Sequence, residues 1–113
     1  MKTSIADFGR AAKLIRSTDV YNVYDLPYLS RLVVSMTVLH PDKATSGHSH
    51  NDAEEVYLFL EGDGEMQLDQ EMIPVTKGDI ILIRKEQFHK VLNRSSGDLV
   101  LLSVFEKYGE RGA

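Results

Sequence analysis

The chain contains no cysteine, and this absence excludes two kinds of structural support. Disulfide bonds and zinc sites made of thiolates both require cysteine. Long apolar runs are missing as well: residues 1–4 do not begin a signal peptide, and no run approaches the roughly 20 residues that span a bilayer. We therefore expect a cytoplasmic protein without a membrane partner, since a reducing compartment agrees with the lack of disulfides.

The sequence also has no excess of positive charge. Its 13 Lys and Arg residues are outnumbered by 17 Asp and Glu residues, which gives a formal net charge of −4. Nucleic acid binding depends on clustered Lys and Arg, so we expect no nucleic acid partner. One local basic group is predicted to be a solvated surface that could also steer a small anion: Arg84, Lys85, Lys90 and Arg94.

Short apolar or alternating segments, separated by turn residues, fill most of the 113 residues. This spacing predicts an all-β sandwich or barrel in a single domain, 1–113, whose barrel core occupies about residues 20–105. The segments predicted as strands are 20–26, 31–39, 55–60, 65–69, 80–83, 89–93 and 99–105.

The two ends of the chain are predicted separately from this core. Apolar residues of the N-terminal arm, 1–19, recur at helical spacing, whereas Gly9 weakens a helix. Both a short helix and a strand that pairs with another subunit therefore remain open for this arm. The polar segment 106–113 is predicted to be a flexible tail.

Several predicted strands are apolar on both faces, for example 56–60 and 99–102. Such a strand needs cover on both sides, and a barrel of this size cannot easily cover its own outside. We therefore expect a homodimer that buries an outer sheet face.

Three of the four histidines fall in a pattern typical of a metal site. His48 and His50 are two residues apart, so a strand would present both imidazoles on one side. Glu55 follows after a short turn, and His89 opens a later strand. Three imidazoles and one carboxylate suit a divalent transition metal ion (Fe, Mn, Zn, Ni, Co or Cu), although a single histidine would more often be a core residue bonded to the backbone.

The segment 42–62 resembles the first motif of the cupin superfamily, G-x5-H-x-H-x(3,4)-E-x6-G. His48 and His50 occupy the histidine positions, and Glu55 the glutamate position, because only Glu55 keeps the spacing to Gly62. Glu54 fits the shorter spacing from His50 alone. On a strand, alternation would turn Glu54 to the other face.

The segment 78–93 resembles the second cupin motif, G-x5-P-x-G-x2-H-x3-N, with Gly78, His89 and Asn93 in register. Three positions depart from the two motifs: Asp42 and Glu86 replace glycines, and Arg84 replaces proline. A positive φ costs a residue other than glycine about 1 kcal/mol, so we expect the turn 84–87 to adopt a type I shape instead.

The resemblance implies an all-β cupin fold, a double-stranded β-helix or jelly-roll barrel in one domain. It also implies one divalent metal ion on His48, His50, Glu55 and His89. The pocket around the ion is expected to take a small-molecule ligand, and its candidate lining residues are Tyr57, Phe59, Met36 and Arg31. Core packing stays open for Tyr57, Phe59 and Met36, and a surface charge for Arg31.

Three functions agree with such a site. One is a sugar or sugar-phosphate isomerase or epimerase, in which the metal polarises a carbonyl, and the others are an Fe-dependent dioxygenase and a non-enzymatic small-molecule sensor. An oxygen-rich or anionic metabolite is expected in each case, because a divalent ion with one carboxylate keeps a net positive charge. No catalytic residue can be assigned, although a proton could be carried by Glu54, Tyr57, Tyr21 or Tyr24.

Overall fold

The structure, a computed structural model, describes residues 1–50 and 52–107. These residues form one short helix, α1 (Phe8–Ala11), and nine strands. The strands are β1 (Lys13–Ser17), β2 (Tyr21–Leu26), β3 (Leu32–Leu39), β4 (Glu55–Glu61), β5 (Asp63–Leu68), β6 (Glu71–Thr76), β7 (Ile80–Ile83), β8 (His89–Leu92) and β9 (Leu99–Glu106). No helix within the described ranges is long and apolar enough to cross a membrane.

The strands form two antiparallel sheets. The six-stranded sheet has the order β1-β2-β3-β9-β4-β7, and the three-stranded sheet has the order β6-β5-β8. Strands far apart in sequence are therefore neighbours, as in the pairing of β3 with β9 from Leu32↔Glu106 to Leu39↔Leu99. This all-β arrangement, with its long crossovers, confirms the cupin jelly-roll barrel expected from the sequence.

Most predicted strands begin and end within one residue of the observed bounds, and β6 is the exception that the sequence did not predict. Pro74 interrupts its apolar pattern, which argues against a strand in the middle of a sheet. In the structure β6 is the edge strand of the smaller sheet, where a missing backbone N–H costs little.

The N-terminal arm contains a short helix and a strand. The helix is confined to α1, and the chain then continues as β1, which pairs with β2 and forms one edge of the larger sheet. At the other end β9 reaches Glu106. The predicted tail at 106–113 lies mostly outside the described residues.

The apolar core fills one end of the barrel. Leu39, Phe59, Met66 and Leu99 have no exposed surface and belong to one packed cluster. Gly62 (φ +90°) allows the chain to pass close to this cluster, because a Cβ atom there would collide with the carbonyl oxygen of Asp98. The opposite end, where β4 begins with Glu55, stays open for polar side chains.

Asn93, the last residue of the second motif, ties the closed end together. Its side chain is 1% exposed, and its amide donates to the carbonyl oxygens of Leu39, His40 and Gly97 at 3.0, 3.1 and 2.8 Å. Buried polar groups are stable only when they are bonded in this way. Asn93 is therefore a structural residue.

Candidate metal centre

His48, His50, Glu55 and His89, which the sequence predicts as ligands, meet at the open end of the barrel. One donor atom from each of the four lies within 4.8 Å of the other three. The Oε1 atom of Glu55 is 3.1 Å from Nε2 of His50 and 3.5 Å from Nε2 of His89. Glu55 and His89 are buried, whereas His48 is exposed, so the cluster has a covered side and an accessible side.

The backbone positions these side chains through three separate segments. His48 and His89 are paired antiparallel, each donating its N–H to the other's carbonyl oxygen at 3.0 and 2.9 Å. Gly47 (φ +81°) permits this pairing, because a Cβ atom there would lie 2.5 Å from the Phe88 ring. Glu55 comes from the third segment, as the first residue of β4.

The hydrogen bond of His89 fixes which ring nitrogen faces the cluster. Its Nδ1 atom lies 3.1 Å from the backbone carbonyl oxygen of Gln87. Because a carbonyl oxygen can only accept a hydrogen bond, Nδ1 carries the proton and donates it. The Nε2 atom therefore presents a lone pair toward Glu55. Such a second hydrogen bond is the usual way in which proteins orient a histidine ligand.

Two buried acceptor atoms therefore face each other in the cluster, 3.5 Å apart. The Oε1 atom of Glu55 and the Nε2 atom of His89 are fully buried, and neither has a hydrogen bond to any described residue. Leaving such atoms unsatisfied is costly, and a cation between them would satisfy both. The donor set and its geometry therefore fit one metal ion.

The turn that carries His89 differs from the sequence-based expectation. Glu86 has φ +65°, and the Gln87 N–H donates to the Arg84 carbonyl at 3.2 Å. A positive φ at the third position of a turn is typical of type II, so the predicted type I shape is wrong. The Glu86 N–H also donates to the His50 carbonyl at 2.6 Å, and this bond between the two histidine segments explains why the turn keeps the glycine conformation.

Asp42, at the other substituted glycine position, has φ +61°. Aspartate tolerates this left-handed region better than glutamate does, because its short side chain can bond to the local backbone. Both motifs therefore keep their backbone shape without their glycines, and the strain is greater at Glu86.

The four donors lie in the wall of a cavity of about 310 Å³. Its apolar part includes Val23, Leu101 and Phe105, and hydroxyl groups are contributed by Thr45 and Ser46, among others. Polar and apolar groups line this concavity together, and its size is typical of a small-molecule site.

Of the four residues predicted to line the pocket, the structure places Tyr57 there. Its ring meets the His89 ring edge-on, with 5.9 Å between centroids. Phe59 lies two residues deeper, in the closed core, and Met36 alternates with the cavity-lining Thr37 on β3 and so faces outward. Arg31 is exposed and precedes β3.

One charged residue at this cavity was not predicted from the sequence. Arg16, in the N-terminal arm, lines the same space as the four metal donors. Arg16 was not predicted because the N-terminal arm could form a helix or a strand. The direction of its side chain also depends on an irregularity in the pairing of β1 with β2. Tyr21 also lines the cavity, whereas Tyr24 lies opposite Met36 on the outer face.

Comparisons with known proteins agree with this architecture. The family model described as a cupin domain matches residues 35–105. The solved structure of an RmlC-like cupin from Shewanella frigidimarina superimposes with a TM-score of 0.79, covering 94% of this chain and 93% of that one at 16% identity. At this low identity the likeness shows the fold alone.

Two curated relatives are similar in sequence. An uncharacterized protein of Methanocaldococcus jannaschii is 44% identical over 55 residues, which cover 49% of this chain and 44% of the relative. A glucose-6-phosphate isomerase of Pyrococcus abyssi is 27% identical over 93% of this chain and 65% of its own length. The chain thus spans less than two thirds of either relative. The family match over most of the barrel, together with its strand order, shows that the chain belongs to the cupin family.

Proposed function

We propose that the protein is a metal-dependent isomerase or epimerase that acts on a small oxygen-rich metabolite, a sugar or sugar phosphate. The observation that carries this proposal is the position of the four donors in the wall of an accessible cavity of about 310 Å³. A purely structural metal site would be closed by its protein ligands. The relative named glucose-6-phosphate isomerase, aligned over 93% of this chain, supports the same reaction class.

His48, His50, Glu55 and His89 would hold the ion. Imidazole and carboxylate donors together suit Mn, Fe, Co, Ni, Cu and Zn. When bound, such an ion supplies Lewis-acid polarisation of a substrate carbonyl. The hydrogen bond from His89 to Gln87 keeps one donor oriented, and the buried Glu55 carboxylate offsets part of the added charge.

Moving a proton between neighbouring carbon atoms requires a group that can accept and return it. Among the four candidates from the sequence, Glu54 is exposed outside the cluster and Tyr24 lies on the outer face. Tyr57 and Tyr21 line the cavity. We assign the role of proton carrier to Tyr57, since it is two residues from Glu55 on β4 and its ring contacts the His89 ring.

We also propose that the working form is a homodimer that covers the outer face of the six-stranded sheet. Two rows of apolar side chains cross this face: Val34, Val104, Val56 and Leu82, and Met36, Leu102, Leu58 and Ile80. Leu82 and Ile80 are 69% and 62% exposed in the single chain. A second copy related by two-fold symmetry would present the same rows, which makes it a matching cover.

Deuterium exchange tests the reaction class directly. Protein prepared without a polyhistidine tag, loaded with zinc(II) or manganese(II), is incubated under nitrogen in D₂O with pentose and hexose phosphates and the free sugars. We expect aldose and ketose, or two epimers, to interconvert with deuterium incorporated beside the carbonyl. Turnover that requires oxygen, or a retained small molecule without turnover, would contradict the proposal.

Adjacent glutamates provide a matched control for that assay. Glu55→Gln removes the buried carboxylate of the cluster, whereas Glu54→Gln changes its exposed neighbour. Loss of an outer partner of a metal ligand already costs 10–100-fold in activity, so we expect Glu55→Gln to lose at least about a hundredfold. Glu54→Gln should retain the activity of the unaltered protein.

A further inference from the structure

Arg16 reaches the metal cavity because β1 contains a β-bulge. In the pairing of β1 with β2, Leu14 lies opposite Tyr24 and Arg16 lies opposite Val23, with Ile15 as the extra residue. A regular ladder would place Ile15 opposite Val23 and Arg16 opposite Asn22. Because facing residues of antiparallel strands project to the same side, the bulge moves Arg16 from the outer face to the inner face.

The guanidinium group of Arg16 is available to a ligand. It forms no ion pair with any carboxylate in the described part of the chain, and the neighbouring Asp19 carboxylate is 3.8 Å from the Lys43 ammonium. Its one side-chain bond is donated to the Tyr21 hydroxyl at 3.3 Å, which leaves most of its five N–H donors free. The phenol proton of Tyr21 then remains available as a further donor.

Hydroxyl groups line the same cavity as this guanidinium. Arg16, Tyr21 and Ser46 line both the metal cavity and an adjoining recess, and Thr45 lines the metal cavity. The Thr45 oxygen accepts the Val91 N–H at 3.0 Å, so its own proton can be donated to a ligand. A forked guanidinium in a cavity that is also lined by hydroxyl donors matches the oxygens of a phosphate or carboxylate group.

We propose that Arg16 determines specificity by binding the anionic end of a ligand whose oxygen-rich end reaches the four metal donors. This inference rests on the proposed metal site and adds that its ligand carries an anionic group, a phosphate or a second carboxylate, besides the oxygens that reach the metal donors. A divalent ion, the Glu55 carboxylate and the Arg16 guanidinium would together leave about two positive charges in the cavity. Two negative charges on the ligand would balance them.

Paired ligands that differ only at the distal group test this role. Binding of 3-phosphoglycerate and glycerate to the zinc(II)-loaded protein is measured by calorimetry, because both share the same hydroxy-acid end. 2-Hydroxyglutarate and 2-hydroxypentanoate provide the carboxylate comparison. We expect at least one anionic member to bind about tenfold more tightly than its partner, and the preferred pair identifies the group as phosphate or carboxylate.

Variants on β1 separate the role of Arg16 from that of general charge. Arg16→Gln should remove most of the tenfold preference while leaving the affinity for glycerate unchanged, and Arg16→Lys should retain part of it because the charge remains. Lys13→Gln removes an equal charge from the same strand, outside the cavity lining, and should change nothing. A preference that persists in Arg16→Gln, or that is absent from the unaltered protein, overturns the proposal.

A titration of the metal-free protein keeps this test independent of the metal site. Inorganic phosphate is added at millimolar concentrations while the Arg16 side-chain Nε–H resonance is followed by NMR. We expect a saturable shift that is absent from Arg16→Gln, even if the protein binds no zinc and the proposed function fails. Absence of a shift in the unaltered protein contradicts the role of Arg16 by itself.

Discussion

The two faces of the six-stranded sheet are made from the same strands but differ completely in chemistry. On the inner face, one row across β3, β9, β4 and β7 reads Val33, Phe105, Glu55 and Ile83. One residue along, the outer row reads Val34, Val104, Val56 and Leu82. The inner row therefore combines packing with a buried carboxylate, whereas this outer row is apolar throughout.

This difference shows how much depends on register. Side chains alternate between the faces with a period of two, so a slip of one residue would turn Glu55 outward and bring Val56 into the site. The exposed apolar side chains of the outer face, such as Leu82 and Ile80, favour a cover, and the buried polar atoms of the inner face favour a ligand. Each face can be altered separately, which makes the comparison testable.

The largest effect is expected from removing inner donors. His48→Ala combined with His50→Ala should reduce zinc(II) binding below detection by calorimetry, because two of four donors are lost. The circular dichroism spectrum should stay that of a folded β protein, since the core at the other end is unchanged. His40→Ala removes the one histidine outside the cluster and should bind zinc normally; unchanged binding in the double variant would refute the ligand assignment.

The next largest effect, on the free energy of unfolding, is expected where the inner face packs in the core. Phe59→Ala should reduce the free energy of unfolding by about 3–5 kcal/mol in urea denaturation, because it leaves a cavity beside Leu39 and Leu99. Tyr57→Phe, on the same strand, retains the ring and should cost less than about 1 kcal/mol while reducing turnover about a hundredfold or more. Equal stability losses in the two variants would contradict the view that β4 places Phe59 in the core and Tyr57 at the cavity.

The sequence predicted the inner face of the sheet better than it predicted the side of the cavity where Arg16 lies. Seven motif positions locate the site in the sequence. Spacing alone favours Glu55 over Glu54, and the structure agrees with that choice because Glu55 is buried. Alternation also placed Tyr57 and Phe59 on the inner side. Alternation does not give depth along the barrel, which separates Phe59 in the core from Tyr57 at the cavity.

Features that depend on tertiary contacts were beyond the sequence. The bulge at Ile15, which turns Arg16 inward, has no local composition signal. The positive φ of Glu86 is imposed by its bond to the His50 carbonyl, a contact between segments far apart in sequence. At Glu86 the local preference favours the opposite result, and the long-range contact outweighs it.

On the outer face, a charge should separate the two copies. Leu82→Lys adds an ammonium group to the apolar rows at a side chain that is 69% exposed in one chain, so the single chain should still fold. Burying that charge twice in a symmetric interface should weaken dimerisation at least about tenfold, measured by analytical ultracentrifugation. Met72→Lys places the same charge on the smaller sheet and should leave the dimer intact; a monomeric unaltered protein would refute the proposed interface.

The smallest effect is expected at the strained turn beside His89. Glu86→Gly should raise the free energy of unfolding by up to about 1 kcal/mol, because glycine adopts φ +65° without the steric cost of a Cβ atom. Glu86→Ala keeps that Cβ and should give no gain in the same urea titration. A loss of stability in the glycine variant would show that the Glu86 side chain contributes more than its backbone conformation costs.

The central claim is that four side chains from three segments of backbone bind one metal ion, and anomalous X-ray diffraction tests it most directly. Crystals of untagged protein loaded with zinc(II) are measured on both sides of the zinc absorption edge. We expect one strong anomalous peak per chain, about 2.0–2.2 Å from a nitrogen of each of His48, His50 and His89 and from an oxygen of Glu55. A map without a peak among these four residues, or with its strongest peak elsewhere in the molecule, would contradict the claim.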